Sequence, residues 1–466
     1  MNNEKNTSAA KKNATPRTVA ADVLIKVEGG QYANIALDVA LSRHTLSPED
    51  KALVTSLVYG ALERRVTLDF IISQYSSRPT DKLDAVVLCA LRMGLYQLIY
   101  LDRIPDFAAI NESVDSVPRK SAGYVNAVLR SYLRAVEKGE REKNFSPADF
   151  ADRYPVLAGD DEAAMSVAYG LPVGLTRKFI EIFGAEKAEK VMQAFLKKPP
   201  ITLRANTLKA SAENLKKGLT GQGFSIFDGD YVSTALQLEK GNIFDTSEFE
   251  NGDFFVQDEA SQICVEVLGA TAGDLVIDTC ACPGSKSFGC AIRMQNQGSV
   301  YSFDLHESKL SLIRTGAERL GIDIIKTDAR DARTPDNSLI GKADRVLCDV
   351  PCSGLGVIAK KPEIRNKNLS EAARLPQIQR EILEKSAAYL KSGGSLVYST
   401  CTILPEENER VVLDFLNSHN DFCAVDFEIS SRSDILPSIH SNGGCVTLTP
   451  DQNRTDGFFI AKMKKL

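Results

Sequence analysis

The alternation of apolar and amphipathic segments after Asp274 limits the fold of this chain more than any other feature. Amphipathic segments such as 309–320 and 375–390 predict helices between short apolar strands. A chain that alternates in this way forms a parallel sheet with helices on both faces, so this part is predicted to be α/β. The predicted strands are 275–279, 299–303, 322–326, 345–348 and 395–399.

The sequence before this region predicts two further folded parts. Between residues 16 and 136, apolar residues recur every three or four positions, which predicts a helical bundle with a buried central helix at 83–100. A charged stretch at 137–144 predicts a linker, and helices continue after it. A small α+β module is then predicted from a strand at 201–206, a helix at 210–219 and a strand at 223–227.

The chain of 466 residues is thus predicted to be multidomain. We expect a disordered tail at 1–13, an all-α domain at 14–140, the α+β module at 146–250 and the α/β domain at 251–466. No apolar segment is long enough to span a membrane, and the polar N-terminal residues do not resemble a secretory signal. We therefore expect a cytoplasmic protein without a membrane partner.

Charge and cysteine usage leave a nucleic-acid partner open and disfavour a metal site. The net charge is −5, but residues 1–145 carry 20 Lys and Arg against 17 Asp and Glu, so a local basic surface is compatible with the sequence. The ten cysteines are scattered, which is typical of reduced thiols in the cytosol. Cys280 and Cys282 lack the paired ligands of a zinc site, so no metal is expected.

A loop rich in small residues, 280–286, follows the first predicted strand of the α/β domain. Such a loop lets backbone N–H groups approach a ligand closely. A single acid at a strand end could simply face water, but four acids at one sheet edge favour a binding site. A carboxylate in such a site can accept hydrogen bonds from the hydroxyls of a ribose. The glycine motif of NAD sites and the phosphate loop of ATP sites are absent. The four acids are Asp278, Asp304, Asp328 and Asp349.

Two cysteines, Cys352 and Cys401, follow the fourth and fifth strands, and adjacent strands would bring both to this edge. A lone cysteine near a strand end is usually a small buried hydrophobe, and we interpret Cys264 and Cys348 in this way. Two thiols at a ligand site favour covalent catalysis. A thiolate that adds to carbon 6 of cytosine makes carbon 5 nucleophilic, and Asp349 could bond the ring edge. The pattern does not say which thiol attacks.

Three blocks carry a family resemblance. Residues 278–286, 349–352 and 399–408 read Asp-Thr-Cys-Ala-Cys-Pro-Gly-Ser-Lys, Asp-Val-Pro-Cys and Ser-Thr-Cys-Thr-Ile-Leu-Pro-Glu-Glu-Asn. They resemble motifs of the RNA cytosine-5 methyltransferases of the Sun family, as do the segments 203–208, 255–261 and 456–461. The segments 109–112 and 124–130 resemble a NusB-like domain. The resemblance covers nearly the whole chain and implies a NusB-like bundle, an RNA-binding α+β module and a Rossmann-like class I methyltransferase domain.

The resemblance also implies roles for matched residues. Cys401 would be the nucleophile, and Cys352 would assist release of the product. Asp304 would bind the ribose of the cofactor, Asp328 its adenine, and Asp349 both cofactor and target base. Lys286 would orient the acids. The residues that would hold S-adenosylmethionine are Cys280, Ala281, Cys282, Pro283, Gly284, Ser285, Lys286, Asp304, Asp328 and Asp349.

The implied partner is 16S rRNA, with one specific cytosine as the target. Arg204 and Asn206 of the α+β module would contact this RNA. The same chemistry on tRNA or 23S rRNA, and a catalytically inactive RNA-binding platform, stay open as alternatives. A DNA cytosine methyltransferase would not need Cys401 and would leave the helical bundle unexplained. We expect a monomer.

Two positions depart from the usual family motif. Cys282 and Ser285 stand where the family usually has alanine and glycine. A backbone at position 285 that needed positive φ would be strained by a serine. After Cys352 the family often has a tryptophan, whereas this chain has none and keeps only basic character at 359–362, so RNA contacts there stay open.

Overall fold

The computed structural model describes residues 15–139, 147, 150, 154–157, 159–367 and 369–466. The predicted tail and most of the predicted linker lie outside these residues. The chain divides into two compact units: residues up to Leu196 with Lys361–Lys367 form the first, and Lys197–Lys360 with Asn368–Leu466 form the second. Among the described residues, no helix is both long and apolar enough to cross a bilayer.

The first unit is helical, as predicted. Helix α5 is buried on all sides, with Val87, Leu91 and Leu95 almost fully enclosed, because its sequence is apolar nearly all round. The helices described in this unit are α1 (Pro16–Glu28), α2 (Ala33–Arg43), α3 (Pro48–Glu63), α4 (Arg65–Tyr75), α5 (Ala85–Tyr100), α6 (Asp106–Asp115), α7 (Arg119–Glu137), α8 (Asp161–Tyr169), α9 (Val173–Phe183) and α10 (Ala185–Ala194).

A short segment from the second half of the sequence belongs to this helical unit. Lys361–Lys367 contains the 3₁₀ helix Pro362–Asn366, and its Arg365 side chain is fully buried. The guanidinium donates to the carbonyl oxygens of Tyr169 (3.1 Å) and Phe195 (2.7 Å), at the C-terminal ends of α8 and α10. Helix C-termini carry unpaired carbonyls and partial negative charge, so they stabilise a buried cation.

The second unit begins with a small antiparallel sheet in the order β2-β3-β1-β4, where β1 is Ile201–Ala205, β2 is Ile226–Asp228, β3 is Ala235–Leu238 and β4 is Phe254–Val256. Leu215 and Leu219 of α11 (Ala212–Gly221) share a core with Leu203 of β1. The short helix α12 (Ser247–Glu250) precedes β4. The predicted α+β module is confirmed, although β2 begins three residues later than predicted and β3 and β4 were not predicted.

The rest of the second unit is built around a larger sheet. Its strands are β5 (Leu275–Asp278), β6 (Ser299–Asp304), β7 (Ile325–Ala329), β8 (Ala343–Asp349), β9 (Leu390–Thr400), β10 (Phe422–Ala424), β13 (Cys445–Leu448) and β14 (Phe458–Lys465), and β11 (Glu428–Ile429) and β12 (Ile439–His440) form a separate pair. The helices are α13 (Glu259–Leu268), α14 (Ser285–Arg293), α15 (Glu307–Leu320), α16 (Leu369–Ala372), α17 (Leu375–Ala387), α18 (Glu409–Ser418) and α19 (Pro450–Asn453).

The strand order is β10-β14-β9-β8-β5-β6-β7, with β13 paired to β14. Strands β5 to β9 are parallel as predicted, but β14 runs antiparallel to β9. The sheet is therefore mixed rather than parallel. The reason is that β13 and β14 pair antiparallel to each other, which reverses the last strand before it joins the sheet.

Alternate residues of the central strands face two separate cores. Val276 and Leu347 lie in one core with residues of α13, α14 and α15, whereas Ile277 and Val346 lie in the other with residues of α17 and α18. Successive side chains of a strand point to opposite faces, so apolar residues in sequence bury both faces. This confirms the prediction of helices on both sides of the sheet.

The strand β7 lies three residues later than predicted. Gly321 ends α15 with φ 71°, and the amide of Ile322 donates to the carbonyl of Ala317 (2.9 Å). Gly321 and the buried Ile322 thus form a Schellman cap, so Ile322 closes the helix and does not start the strand. As a consequence, Asp328 lies within β7 and not after it.

The carboxyl edge of the sheet contains a switch in strand order. β5 lies between β6 and β8, and the chain passes to the other side of β5 after β7. Open α/β sheets bind ligands at this position. Asp278, Asp304 and Asp349 end three of these strands, and Cys401 follows β9 directly.

We predict that Arg365→Ala lowers the free energy of unfolding of the helical unit by about 3 kcal/mol, because two buried carbonyls lose a charged donor. Urea unfolding followed by circular dichroism measures this. Arg374→Ala, which removes an exposed arginine of the second unit, is the matched control. Equal unfolding midpoints for the two variants would contradict the anchoring role of Arg365.

Candidate active site

The loop after β5 turns into α14 at Gly284. Gly284 has φ 107°, and an added Cβ would lie 2.7 Å from the Phe288 ring, so only glycine fits here. The amide of Ala281 donates to the carbonyl of Phe303 (2.7 Å), which fixes the loop to β6. Ser285 begins α14 and is not among the residues with positive φ. Position 285 therefore does not need positive φ, and Ser285 is accommodated because Gly284 makes the turn.

Lys286 and Asp349 form a partly buried ion pair at this edge. Lys286 Nζ lies 2.6 Å from Asp349 Oδ2 and 5.2 Å from the centre of the Phe458 ring. Burial alone would lower the pKa of Lys286, but Asp349 raises it above its ordinary value, so the amine stays charged. Ser399 Oγ donates to Asp349 Oδ1 (2.7 Å). Both oxygens of the carboxylate are thus held in place.

The thiols of Cys352 and Cys401 lie against each other. Their sulfur atoms are 3.2 Å apart, and both side chains are half-buried. This separation is a hydrogen-bond contact and is too long for a disulfide bond. The bond to Cys401, together with burial, raises the pKa of Cys352 well above its ordinary value. The raised pKa favours the protonated form of Cys352 at neutral pH, and either sulfur can be the donor in the contact.

Asp278 is a buried carboxyl behind the loop. Ser287 Oγ donates to its Oδ2 (2.7 Å), and Ser302 Oγ donates to Ser287 Oγ (2.8 Å). Within the described part of the chain, Asp278 Oδ1 has no hydrogen-bond partner. Burial raises the pKa of Asp278 to about 7, so the protonated and charged forms coexist at neutral pH.

Asp304 and Asp328 lie on neighbouring strands, away from the Lys286–Asp349 pair. The half-buried Asp304 ends β6, and its Oδ1 accepts from the amide of His306 (3.0 Å). Asp328 is exposed and accepts from Arg330 Nη2 (2.8 Å). Among these acids, Lys286 forms an ion pair with Asp349, and its role in orienting the others stays a prediction.

The remaining loop residues include two cysteines. Burial raises the pKa of both Cys280 and Cys282, so both are thiols at neutral pH. Cys282 Sγ lies 3.7 Å from the carbonyl oxygen of Lys309, and Pro283 separates it from the Gly284 turn. Among the described residues, no group of three or more His, Cys, Asp or Glu side chains could hold a metal ion.

Arg204 and Asn206 have a different role from the one expected. Arg204 is only 2% exposed, and its Nη2 donates to Glu266 Oε1 (2.8 Å) of α13. Asn206 is fully buried, and its Nδ2 donates to the carbonyls of Gly252 and Leu320 (both 2.9 Å). Neither side chain reaches the surface to contact RNA. They fasten the small sheet to the helices of the large one.

Comparison with known proteins identifies the family. The family model of the 16S rRNA methyltransferase RsmB/F matches residues 265–464, that of the NusB family matches 14–134, and that of an RsmF/B-like ferredoxin-like domain matches 171–244. A probable ribosomal RNA small subunit methyltransferase B of Bacillus subtilis (strain 168) is 36% identical, over 97% of this chain and 99% of the relative. The chain belongs to the RsmB/F methyltransferase family.

Solved structures are similar in fold. The crystal structure of PH0851 is 26% identical, covers 98% of this chain and 100% of its own, and has a TM-score of 0.77. A methyltransferase homolog from Pyrococcus horikoshii is 29% identical over 66% of this chain and 98% of its own, with a TM-score of 0.57. The predicted NusB-like, α+β and Rossmann-like parts are confirmed, as are the enzyme class, an rRNA methyltransferase, and its cofactor, S-adenosylmethionine.

Several residues of this RsmB/F site were not predicted. Ser399 was quoted only as part of a motif, although it bonds Asp349. Lys360 donates to Asp258 and to Asp456 Oδ2 (2.8 Å for Asp456), so this part of the basic stretch pairs internally and is not free to bind RNA. The matching segments 255–261 and 456–461 contain both acids, but residue types alone do not reveal that a lysine joins them.

Asp278 gives a pH-dependent prediction. Its pKa is about 7 in the folded chain and about 4 when unfolded, so the unfolded chain loses this proton first and stability falls as pH rises from about 4 to about 7. Asp278→Asn removes the titration. The stability of the variant relative to the native chain should therefore increase by up to about 1.4 kcal/mol per pH unit in this window.

Urea unfolding of the cofactor-free protein between pH 5 and pH 8 measures this difference. Asp328→Asn changes an exposed carboxylate at the same sheet edge and serves as control. A difference between Asp278→Asn and the native chain that does not vary with pH would contradict the raised pKa.

Proposed function

We propose that this chain transfers a methyl group from S-adenosylmethionine to carbon 5 of one cytosine in 16S rRNA. Relatives that match over nearly their whole length bear the name ribosomal RNA small subunit methyltransferase B. The observation that carries the cytosine-5 chemistry is the 3.2 Å contact between Cys352 and Cys401, next to the fixed carboxylate of Asp349. Methylation of a ring nitrogen or a ribose oxygen needs no such pair of thiols.

Cys401 is the proposed nucleophile. Its thiolate adds to carbon 6 of cytosine, which moves the electrons of the ring double bond toward carbon 5 and makes that carbon reactive. The hydrogen bond that Cys352 directs toward Cys401 stabilises the thiolate before it attacks. The family resemblance implies the same two roles. The raised pKa of Cys352 supports Cys352 as the hydrogen-bond donor and Cys401 as the thiolate.

Cys352 is the proposed partner in product release. After methyl transfer, the carbon 5 proton must pass to a base, and the electrons of that bond then restore the ring double bond and expel Cys401 from carbon 6. The main influence that keeps Cys352 protonated is its bond to Cys401. This influence disappears once the Cys401 sulfur is bound to carbon 6, so Cys352 can then release its own proton to solvent and, as a thiolate, accept the proton from carbon 5.

Asp349 is proposed to contact the edge of the target ring. Lys286 and Ser399 fix its two oxygens, so the carboxylate needs no reorganisation when charge moves through the ring. Lys286 acts here through Asp349 and is a positioning residue. When bound, S-adenosylmethionine would supply the methyl group from its sulfonium.

The residues around the loop fit this cofactor. Gly284 lets the backbone approach a ligand, and the N-terminus of α14 suits the carboxylate of the methionine part. We propose that residues Cys280–Lys286 hold that part, that Asp304 accepts the ribose hydroxyls, and that Asp328 lies near the adenine after releasing Arg330. The buried Asp278 Oδ1, which has no partner among the described residues, faces an environment in which a polar ligand group can be bound.

The predicted organisation gives the other parts their roles. We propose a NusB-like RNA-binding domain at 14–140, an RNA-binding module at 146–250 and the methyltransferase domain at 251–466. We further propose a monomer that acts in the cytoplasm.

The substrate is tested with labelled cofactor and separated RNAs. We predict that the label enters 16S rRNA, and that nuclease digestion yields 5-methylcytidine at one position. Label confined to tRNA or 23S rRNA would contradict the substrate, 3-methyl- or 4-methylcytidine would contradict the chemistry, and no label in any RNA would favour the inactive platform.

The thiol roles are tested by two substitutions. We predict that Cys352→Ala accumulates a covalent protein–RNA adduct that survives denaturing gel electrophoresis, because the product cannot leave, whereas Cys401→Ala forms none. Both variants should lose at least about 100-fold in turnover. Cys423→Ala, which removes a half-buried thiol on β10, should behave as the native chain. An adduct with Cys401→Ala alone would reverse the assignment.

A further inference from the structure

The backbone on both sides of Cys352 is bound by two buried polar side chains. Gln379 Nε2 donates to the carbonyl oxygen of Pro351 (3.0 Å), the residue before the thiol. Glu407 Oε2 accepts from the amide of Ser353 (2.9 Å), the residue after it. Gln379 Nε2 also donates to Glu407 Oε2 (2.8 Å), so the two side chains form one bracket around Cys352.

This bracket connects the two cysteine segments. Glu407 lies six residues after Cys401, and its own carbonyl accepts from the hydroxyl of Tyr398 (2.6 Å) on β9. A second bond joins the same segments, because Ser353 Oγ and Thr402 Oγ1 are 2.7 Å apart. The segment that carries Cys401 therefore also fixes the peptide groups that carry Cys352.

The energetic cost of these side chains argues against simple packing. Gln379 is fully buried and Glu407 is 1% exposed. Burying an amide and a carboxyl group away from water is expensive, and an apolar pair of similar size would fill the space at lower cost. Two of the three hydrogen bonds of the pair end on the peptide groups that flank Cys352, and the third joins the two side chains, so the polar pair provides the position of that thiol.

We propose that Gln379 and Glu407 are positioning residues that hold Cys352 Sγ in contact with Cys401 Sγ, and that they act on release of the methylated product. The inference rests on the proposed function, in which Cys352 accepts the carbon 5 proton. Neither side chain touches the ring. A shift of the thiol by about 1 Å would weaken proton transfer on the order of 10- to 100-fold, because the transfer needs close contact.

The test is Gln379→Leu, which removes both donors with little change in volume. We expect kcat to fall on the order of 10- to 100-fold with kcat/KM for the RNA little changed, because a covalent protein–RNA adduct accumulates after the RNA has bound and reacted. The matched control is Gln377→Leu, which makes the same change at an exposed position of the same helix and should leave both constants unchanged.

Three further variants separate positioning from loss of structure. Glu407→Gln keeps an oxygen that can accept from Ser353 and Gln379, so it should retain most of the activity, whereas Glu407→Ala should resemble Gln379→Leu. Gln379→Asn stays polar but is one methylene too short to reach both partners, and it should also accumulate adduct. If Gln379→Leu does not fold, Gln379→Asn still tests the proposal.

A double variant tests whether the Gln379–Glu407 pair acts through Cys352. If the pair acts through this thiol, Gln379→Leu added to Cys352→Ala should cause no further loss of kcat. A double variant that is slower than Cys352→Ala by the full factor of the single change would overturn the inference, as would Gln379→Leu and Gln379→Asn without any adduct. Absence of adduct in Cys352→Ala itself would instead reject the proposed role of Cys352.

Discussion

The parallel register of β8 and β9 is the constraint on which the site depends. Asp349 stands opposite Ser399 in this pair, and each strand is followed within three residues by a reactive cysteine. A slip of one residue would turn every side chain of one strand to the other face of the sheet. It would separate Ser399 from Asp349 and the two thiols from each other. The buried cores on both faces fix this register, because each accepts only its own alternate set of apolar residues.

Around that register, the site is built from a fixed charge and two thiols in contact. Asp349 is half-buried, and it has an ammonium on one oxygen and a hydroxyl on the other, which stabilise its charge and hold it in place. The sulfur atoms of Cys352 and Cys401 lie within hydrogen-bonding distance, and either thiol can be the donor. In the proposed reaction the fixed carboxylate acts at the ring edge and the thiols act at carbon 5 and carbon 6, which suits the two halves of a covalent methyl transfer.

Much of this arrangement could be predicted from the sequence because parallel strands bring their carboxyl ends together. That rule placed Asp278, Asp304 and Asp349 at one edge and Cys352 beside Cys401 before any contact was known. The parts that failed depend on pairings between distant residues. The antiparallel β14 joins β9, which ends more than 50 residues earlier in the sequence, and the Schellman cap at Gly321 moves the start of β7 to a later residue.

Burial was the other property that residue types did not reveal. Arg204 is basic and lies in a segment shared with RNA-modifying enzymes, yet the position of Glu266 on a later helix makes it a structural residue. The same holds for Lys360, whose two acidic partners lie about 100 residues away in either direction along the sequence. The Gln379–Glu407 bracket is a third case, because neither residue is distinguished by type from the many other polar residues of the chain.

The most direct measurement uses a fragment of 16S rRNA in which the target cytosine is replaced by 5-fluorocytosine. Fluorine at carbon 5 cannot leave as a proton does, so the enzyme stays bound through carbon 6 after methyl transfer in the presence of S-adenosylmethionine. Peptide mass spectrometry of the trapped complex then identifies the attached sulfur. The account predicts attachment at Cys401 with the methyl group present on the base. Attachment at Cys352, or no covalent complex at all, would contradict it.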